Sequence, residues 1–473
     1  MISPLLTDLY QLTMAYGYWK LGMHEREAVF HQIFRNAPFG GKHAIACGLD
    51  TVREFLDGWC FQEDDISYLR SLTLANNEPL FAKEFLDYLQ DLEISCDIDA
   101  VPEGEIVFPH EPLLRIKGPL LQGQLLESAL LNIVNFQTLI ATKASRVCNA
   151  AAGDEILEFG LRRAQGPDGA ISASRASYIG GCAATSNVLA GKLFDIPVRG
   201  THAHSWVTAF KDEITAFESY ASVMPNNCIL LVDTYDSIEG VKNAIKVGKD
   251  LRKVGADLLG IRLDSGDMAS LSIKARELLD AAGFANTKIV SSNSLDEYRV
   301  RAMKENGAKI SVWGVGTNLV TSYNHPALDG VYKLSALRSE TGEWEYKIKI
   351  SEEAIKTSNP GIYQVKRYYN EDKLILDTIY DEELSFKEGL PTISLDEPHI
   401  ELKRQEFTNS KDLLQPFYRQ GKCVAKKESI HEIRKRAMKN AGLFLKLQND
   451  EPYKAGLLQN LHQLKQKLIK EYD

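Results

Sequence analysis

Positive charge is not in excess in this chain of 473 residues. Lysine and arginine number 55 against 64 aspartates and glutamates, a formal net charge of −9. A protein that grips a nucleic acid needs a basic face to displace counterions, so no nucleic-acid partner is expected. A small anion needs only a few local cations and stays admissible. Long apolar runs are missing too. None approaches the roughly 20 residues of a membrane span, so no membrane partner is expected. The opening MISPLLTDLYQLTMAYGYW has no basic segment followed by an apolar run and does not read as a signal peptide. The seven cysteines are odd in number, scattered, and never spaced as C-x-x-C. They read as reduced thiols of a cytoplasmic protein. Neither G-x-x-x-x-G-K-[ST] nor G-x-G-x-x-G occurs, which removes the P-loop and the dinucleotide-binding fold.

What is present is an ordinary globular composition, 44% hydrophobic and 25% charged, long enough for two or three domains. Early segments such as REFLDGW and FAKEFLDYLQDL are amphipathic at helical spacing. CDIDAVPEGEIVFPHEPLLRIKGPL alternates apolar and polar residues and is broken by four prolines, which predicts short antiparallel strands. One long helix is expected over LLQGQLLESALLNIVNFQTLIATKASRVCNAA, apolar on nearly all sides and therefore buried. From residue 155 a rhythm sets in. EILEFG, VRGTHAHS, CILLVDTYDS, DLLGIRLDSGD, KIVSSNS and ISVWGVGTN read as six strand ends separated by helices. Asp233 to Asp264 is 31 positions, Asp264 to Ser292 is 28, and Ser292 to Gly316 is 24. Such spacing implies parallel βα units of the α/β class, arranged as an irregular, incomplete α/β barrel. After about residue 345 a short meander and a charged, helical tail follow. The expected domains are 1–135, including a connecting helix, 136–345 with the barrel and active site, and 346–473, packing back on the first.

In a barrel the strand ends gather at one face, where chemistry is done. They bring Asp233, Asp236, Arg262, Asp264, Asp267, Ser291 to Ser294, and Gly316 to Asn318. The plain alternative is that Asp and Ser there cap the following helices. Arg162 and Arg163 in EFGLRRAQGPDGA suit a phosphate or carboxylate, because guanidinium donates two parallel bonds. Lys143, Arg146 and Arg175 would extend a cationic lining. In VWGVGTN, Gly314 and Gly316 let backbone N–H groups approach an anion, and Thr317 adds a donor. His202 and His204 in RGTHAHSWV would share one face if the strand persists through them. Three readings stand open: a His-x-His metal pair, one reactive histidine beside a spectator, or two packing histidines. The first needs further ligands, and no other histidine follows before His325.

Taken together, LLTDLYQLTMAYGYW, FRNAPFGGKHAIACGL, VPEGEIVFPHEPLLRIKGPL, EFGLRRAQGPDGA, GGCAATSNVLAGK, GTHAHSWV, IRLDSGD and VWGVGTN resemble the nicotinate phosphoribosyltransferase family over most of the chain. The resemblance implies formation of nicotinate mononucleotide and diphosphate from nicotinate and 5-phosphoribosyl 1-diphosphate, with ATP as co-substrate and Mg²⁺. It implies an α/β sandwich domain, built from both chain ends, joined to an irregular α/β barrel in a homodimer with sites at the interface. It makes His204 the phosphorylated, catalytic histidine and His202 a spectator that supports the strand. Tyr10 and Thr201 match pyridine-site positions, Arg262 a substrate contact, and Thr317 a phosphoribosyl diphosphate contact. Phe159, Arg162, Arg163, Asp264, Ser292, Gly314 and Gly316 complete the expected substrate site. No metal is assigned to protein ligands. The rival inside the superfamily is nicotinamide phosphoribosyltransferase, which places an acid near the stretch equivalent to GGCAATSN. Here that stretch has none, which favours an anionic substrate. A quinolinate enzyme would need more cations, and a barrel metal hydrolase would use His202 and His204 together.

Overall fold

The computed structural model describes residues 2–353, 356–371, 373–384, 386, 390–395, 397–402, 406–447 and 453–472. Two compact units result: Met1–Leu139 with Ala327–Asp473, and Ile140–Pro326.

The first unit interleaves the two ends of the chain in one seven-stranded sheet. Strand Glu27–Phe34 is at its centre. It pairs antiparallel with Pro112–Pro119 on one side and with Gly330–Arg338 on the other. Asp97–Ala100 and then Gln415–Arg419 continue the sheet beyond Pro112–Pro119. Every residue of EAVFHQIF except the first is buried, so the strand is covered on both faces. Phe30 and Phe34 enter a core with Phe39, Phe55, Phe85 and Leu130. The proline-broken segment forms the short antiparallel strands its pattern predicts. The expected long helix is two, Leu120–Leu125 and Glu127–Ala150, parted at Leu126. The boundary read at residue 345 moves to 326, because Gly330–Arg338 finds its hydrogen bonds on Glu27–Phe34 rather than among the βα units.

A second, six-stranded sheet carries the C-terminal region. The expected meander contains the hairpin Tyr363–Asn370 and Lys373–Asp381; its Ala354, Ile355 and Asp372 lie outside the described residues. The tail is helical at Ile430–Leu447 and Gln459–Lys470, but strand Lys454–Leu458 stands between them, parallel to Lys373–Asp381. Residues 448–452 and Asp473 of that tail lie outside the description. Arg367, 1% exposed, makes a two-pronged bond to the buried Asp377, with Nε to Oδ1 at 2.9 Å and Nη2 to Oδ2 at 2.6 Å. Glu111 lies 3.9 Å from the same guanidinium. Burial, then the charge of Asp377, holds the Glu111 carboxyl well above its usual range.

In the second unit six parallel strands follow in chain order: β1 Glu155–Glu158, β2 Ala184–Thr185, β3 Ile229–Leu231, β4 Gly260–Leu263, β5 Lys288–Ser292 and β6 Val312–Val315. Their spatial order is β2-β1-β6-β5-β4-β3. The rhythm read from the sequence is correct at five of six places. The strand expected at VRGTHAHS does not form, and β2 comes instead from GGCAATSN. Residues 197–202 run as an irregular segment that meets both sheet edges. Thr185 exchanges backbone bonds with Pro197 and Arg199, and the Leu231 N–H at the edge of β3 donates to His202 Nε2 at 3.2 Å. The ladder itself stays open between β2 and β3 among the described residues, so the shown architecture is a mixed α/β fold with parallel and antiparallel sheets. Helix packing is close where a side chain would not fit: a Cβ on Gly240 would meet the Val232 carbonyl at 2.0 Å. Among the described residues no helix is long and apolar enough to cross a membrane.

Replacing Arg367 by Met leaves Asp377 buried without its cation. The expected loss is about 3–5 kcal/mol of unfolding free energy, read as a lower denaturant midpoint for the first unit. An unchanged midpoint would show that this ion pair contributes nothing.

Candidate active site

The C-terminal ends of β3, β4 and β5 carry the polar residues that converge. Arg262 on β4 alternates away from the apolar Ile261 and Leu263, which are buried. Its guanidinium, 13% exposed, reaches three loops. Nε donates to Ser292 Oγ at 2.9 Å, Nη1 to Thr201 Oγ1 at 2.9 Å, and Nη2 to Asp264 Oδ1 at 3.2 Å. Ser292 in turn donates a short bond to Asp264 Oδ1. One carboxylate oxygen of Asp264 is thereby fixed, and the other, Oδ2, lies 3.8 Å from His204 Nε2. Asp233, after β3, accepts the Asp264 N–H at 2.8 Å and the Ser265 hydroxyl at 2.6 Å on one oxygen. It thus sets the turn that presents Asp264.

The two histidines part company. His204 is the first residue of a short helix, His204–Thr208. Its Nδ1 sits 3.1 Å from Thr234 Oγ1, and its side chain is 43% exposed. His202 is buried, with Nε2 accepting from Leu231 and Nδ1 3.3 Å from the Ala203 carbonyl. An Nδ1–H tautomer satisfies both bonds. Burial pushes its pKa below 6.5, and Arg262 adds to the effect. The pair therefore does not share a strand face, because no strand persists there. The lone pair of His202 that a metal would need is already taken by a backbone N–H.

Capping explains part of the strand-end acid. Asp236 accepts from Ile238 and Glu239, and Asp267 from Ser270, at the starts of their helices. Asp233 and Asp264 cap nothing. The cationic lining expected from Lys143 and Arg146 is not there. Both bind Glu297, Lys143 at 2.5 Å and Arg146 at 2.9 Å, and Lys143 is fully buried. Arg175 is buried too, its guanidinium 5.8 Å from the Phe194 ring. Arg162 and Arg163 lie exposed in the 3-10 turn Leu161–Arg163. Phe159 is half-buried, its N–H on the Val315 carbonyl at 2.8 Å. Gly314 makes room for its ring, since a Cβ there would come within 2.6 Å of Phe159 Cδ2. Gly316 immediately precedes the four-residue helix that begins at the exposed Thr317. Tyr10 is in the first unit, half exposed, 3.5 Å from Glu127.

Two residues escaped the sequence. Thr234 holds the exposed His204, and its only signal is its place in VDTYDS after a strand. Glu158 is buried at the end of β1 with no cation. Its carboxylate takes the Gly160 N–H and the hydroxyls of Ser174 at 2.8 Å and Thr185 at 2.5 Å. A lone acid closing an apolar strand was the available clue.

Polar side chains converging after parallel strands, beside an accessible imidazole, are the makings of an α/β enzyme site. Comparison with known proteins makes this specific. Models of the nicotinate phosphoribosyltransferase N-terminal domain, family core and C-terminal domain match residues 5–135, 155–373 and 362–465. The Bacillus subtilis nicotinate phosphoribosyltransferase is 40% identical over 99% of this chain and 97% of its own. A Mycobacterium tuberculosis relative of the same name is 43% identical over 71% of this chain and 70% of its own. The crystal structure of human nicotinic acid phosphoribosyltransferase superposes with a TM-score of 0.82 at 30% identity, covering 98% of this chain and 99% of that one. The chain belongs to the nicotinate phosphoribosyltransferase family and is an enzyme of that type.

The Glu297 pair yields a pH test. Burial pushes this carboxyl up, but the bonds and charges of Lys143 and Arg146 outweigh it and hold it below 4.5. A depressed carboxyl stabilises the fold above its unfolded value and loses that contribution as pH falls through the folded value. Glu297→Gln should therefore be less stable than the native chain at pH 7, with the gap closing as pH falls below about 4.5. A gap that does not change with pH, measured by denaturant unfolding, would refute the assignment.

Proposed function

We propose that the enzyme joins nicotinate to 5-phosphoribosyl 1-diphosphate, giving nicotinate mononucleotide and diphosphate in NAD biosynthesis, with ATP hydrolysis coupled through His204. The observation that carries the coupling is the placement of this imidazole. In the tautomer whose Nδ1–H donates to Thr234 Oγ1, Nε2 carries its lone pair in the open beside Asp264. Nε2 attacks the terminal phosphorus of ATP, the bond to the ADP oxygen breaks, and ADP leaves. Imidazole is a good acceptor and afterwards a good leaving group. The phosphorylated ring is later hydrolysed. In the transfer the pyridine nitrogen bonds to the ribosyl carbon as the bond to diphosphate breaks. Charge builds on the leaving diphosphate, so its stabilisation is the largest demand.

Arg262 has one N–H left beyond its bonds to Ser292, Thr201, the His202 carbonyl and Asp264 to meet the substrate, with Thr201 and Ser292 alongside. Arg162 and Arg163 are exposed and unencumbered for phosphate or carboxylate. The Gly314–Gly316 turn and Thr317 offer backbone and hydroxyl donors to the ribosyl diphosphate, with Phe159 packed behind. Tyr10 stacks on the pyridine ring, supplied by the partner in a homodimer whose sites lie at the interface. Mg²⁺ supplies charge neutralisation of the phosphates. Mg²⁺ would arrive on the substrate phosphates and take one or two carboxylates at most. The six parallel strands, bridged at their open edges by residues 197–202, are read as the incomplete barrel of this fold, and the enzyme as cytoplasmic.

Nicotinate is favoured over the amide. Residues 180–187 carry no acid, and the nearby Glu158 spends both oxygens on buried donors. The expected preference in kcat/KM is at least about 100-fold, roughly 2.7 kcal/mol, within reach of one charge-assisted bond. Equal specificity constants for acid and amide would sink this reading.

The coupling has its own test. His204→Ala should lose acid-labile phosphate from γ-labelled ATP and all ATP stimulation of turnover. His202→Ala should retain both. Labelling that survives at His204→Ala and disappears at His202→Ala would reverse the roles.

A further inference from the structure

A cavity of about 860 Å³ opens in the first unit, walled entirely by residues of that unit. Its size is that of a small-molecule site. Arg35, Lys42, His110, His462 and Lys465 face it, and none of the described residues that line it is Asp or Glu. That is anomalous in a chain where acids outnumber bases by 64 to 55. The acids behind the wall are already committed. Asp377 is held by Arg367, and it also accepts the Tyr453 hydroxyl at 2.8 Å. Among the described residues Arg35 and Lys42 make no ion pair, and the Lys465 ammonium finds only the Asn359 amide oxygen, at 2.9 Å. Arg35, Lys42 and Lys465 gather without a counter-charge among the described residues, so they repel one another, and a bound anion would relieve that electrostatic cost.

The rest of the wall is apolar. Phe108 and Tyr453 stack with centroids 4.5 Å apart, and Leu395, Leu457 and Ile469 join them. We propose that this cavity binds a phosphorylated small molecule with an apolar or aromatic body, its phosphates on Lys465, Lys42 and Arg35 and its body against Phe108 and Leu457. The site is distinct from the transfer reaction around His204. Burial pushes the Lys465 amine down to about 8. An anion beside it raises that value again, so binding near pH 8 draws in a proton. Arg35, Lys42, His110 and His462 face the same space.

Titration calorimetry of the full chain without Mg²⁺ tests this, using ATP and pyrophosphate as probes. The native protein should show a second ATP site per chain beyond the one at His204. Lys465→Met should remove it together with its proton uptake, and the surface variant Lys42→Ala, which cannot disturb the core, should weaken it about tenfold. Nicotinate turnover should stay within twofold in both variants. ATP should hold this site more tightly than pyrophosphate. Unchanged ATP stoichiometry and affinity in both variants would overturn the site. Parallel loss of nicotinate turnover would overturn its independence from the reaction. Pyrophosphate binding as tightly as ATP would overturn the apolar body.

Discussion

One guanidinium holds the candidate site together. Arg262 donates to Thr201 in the irregular segment, to Asp264 in the turn after β4 and to Ser292 at the end of β5. Guanidinium is planar, so its donors leave in fixed directions, and loops that accept them are fixed relative to one another. A lysine has one ammonium and cannot span the three. The consequence runs outward. Asp264 is oriented because Arg262 and Ser292 claim one oxygen, and its other oxygen meets His204 for that reason. Asp233 supports the same turn from behind through backbone and hydroxyl. His204 then needs only Thr234 to settle its ring. The His204 imidazole is thus the end of a chain of constraints that starts one strand away.

The structure deals with buried charge in two ways. Lys143 with Glu297, and Arg367 with Asp377, are neutralised by pairing at 2.5 and 2.6 Å. Pairing limits the desolvation cost, but removal of one partner exposes it in full. Glu158 takes the other way, three neutral donors in place of a cation. Hydrogen bonds to a carboxylate are charge-assisted and strong in a low-dielectric setting. The choice matters for the reaction. A cation beside Glu158 would have been a salt bridge to hold. Neutral donors instead tie β1 to β2 and to the loop of Arg162 and Arg163, and leave those arginines uncommitted.

Much of this was legible in the residues, and the failures have physical reasons. Buried parallel strands read as apolar runs, so five of the six were visible. β2 is two residues long, too short for any periodicity, and the better-looking VRGTHAHS was chosen in its place. Glycine at position 200 and the lone backbone bridge of its neighbours show why no strand forms there. The capping of Asp236 and Asp267 follows from local sequence alone. The fate of Lys143 does not, because Glu297 is 154 residues away. The pairing of Gly330–Arg338 with Glu27–Phe34 is equally non-local, and no composition shift marks it. Motif resemblance pointed to His204 where spacing left three readings open, and the bonds of His202 now disfavour the metal pair on independent grounds.

The net charge of −9 opposes anionic substrates only on average, and the range of electrostatics resolves the conflict. At physiological ionic strength a charge is screened within about 8 Å in solvent. The average charge of the surface therefore hardly reaches a ligand inside a cleft. What decides binding is the local census of donors, and here Asp264 lies beside the imidazole with Asp233 behind it. Both are engaged by Arg262, Ser292, Ser265 or backbone N–H groups. One oxygen of each is tied into the network, Asp264 Oδ1 and Asp233 Oδ2. A phosphoryl group on Nε2 of His204 would bring new negative charge to within a few ångströms of Asp264. It would strain that network and favour its own hydrolysis unless a cation-bearing diphosphate were present to compensate. Under the proposed coupling, the phosphorylated state would be most stable with the diphosphate of the substrate bound, which is the condition for linking ATP consumption to transfer.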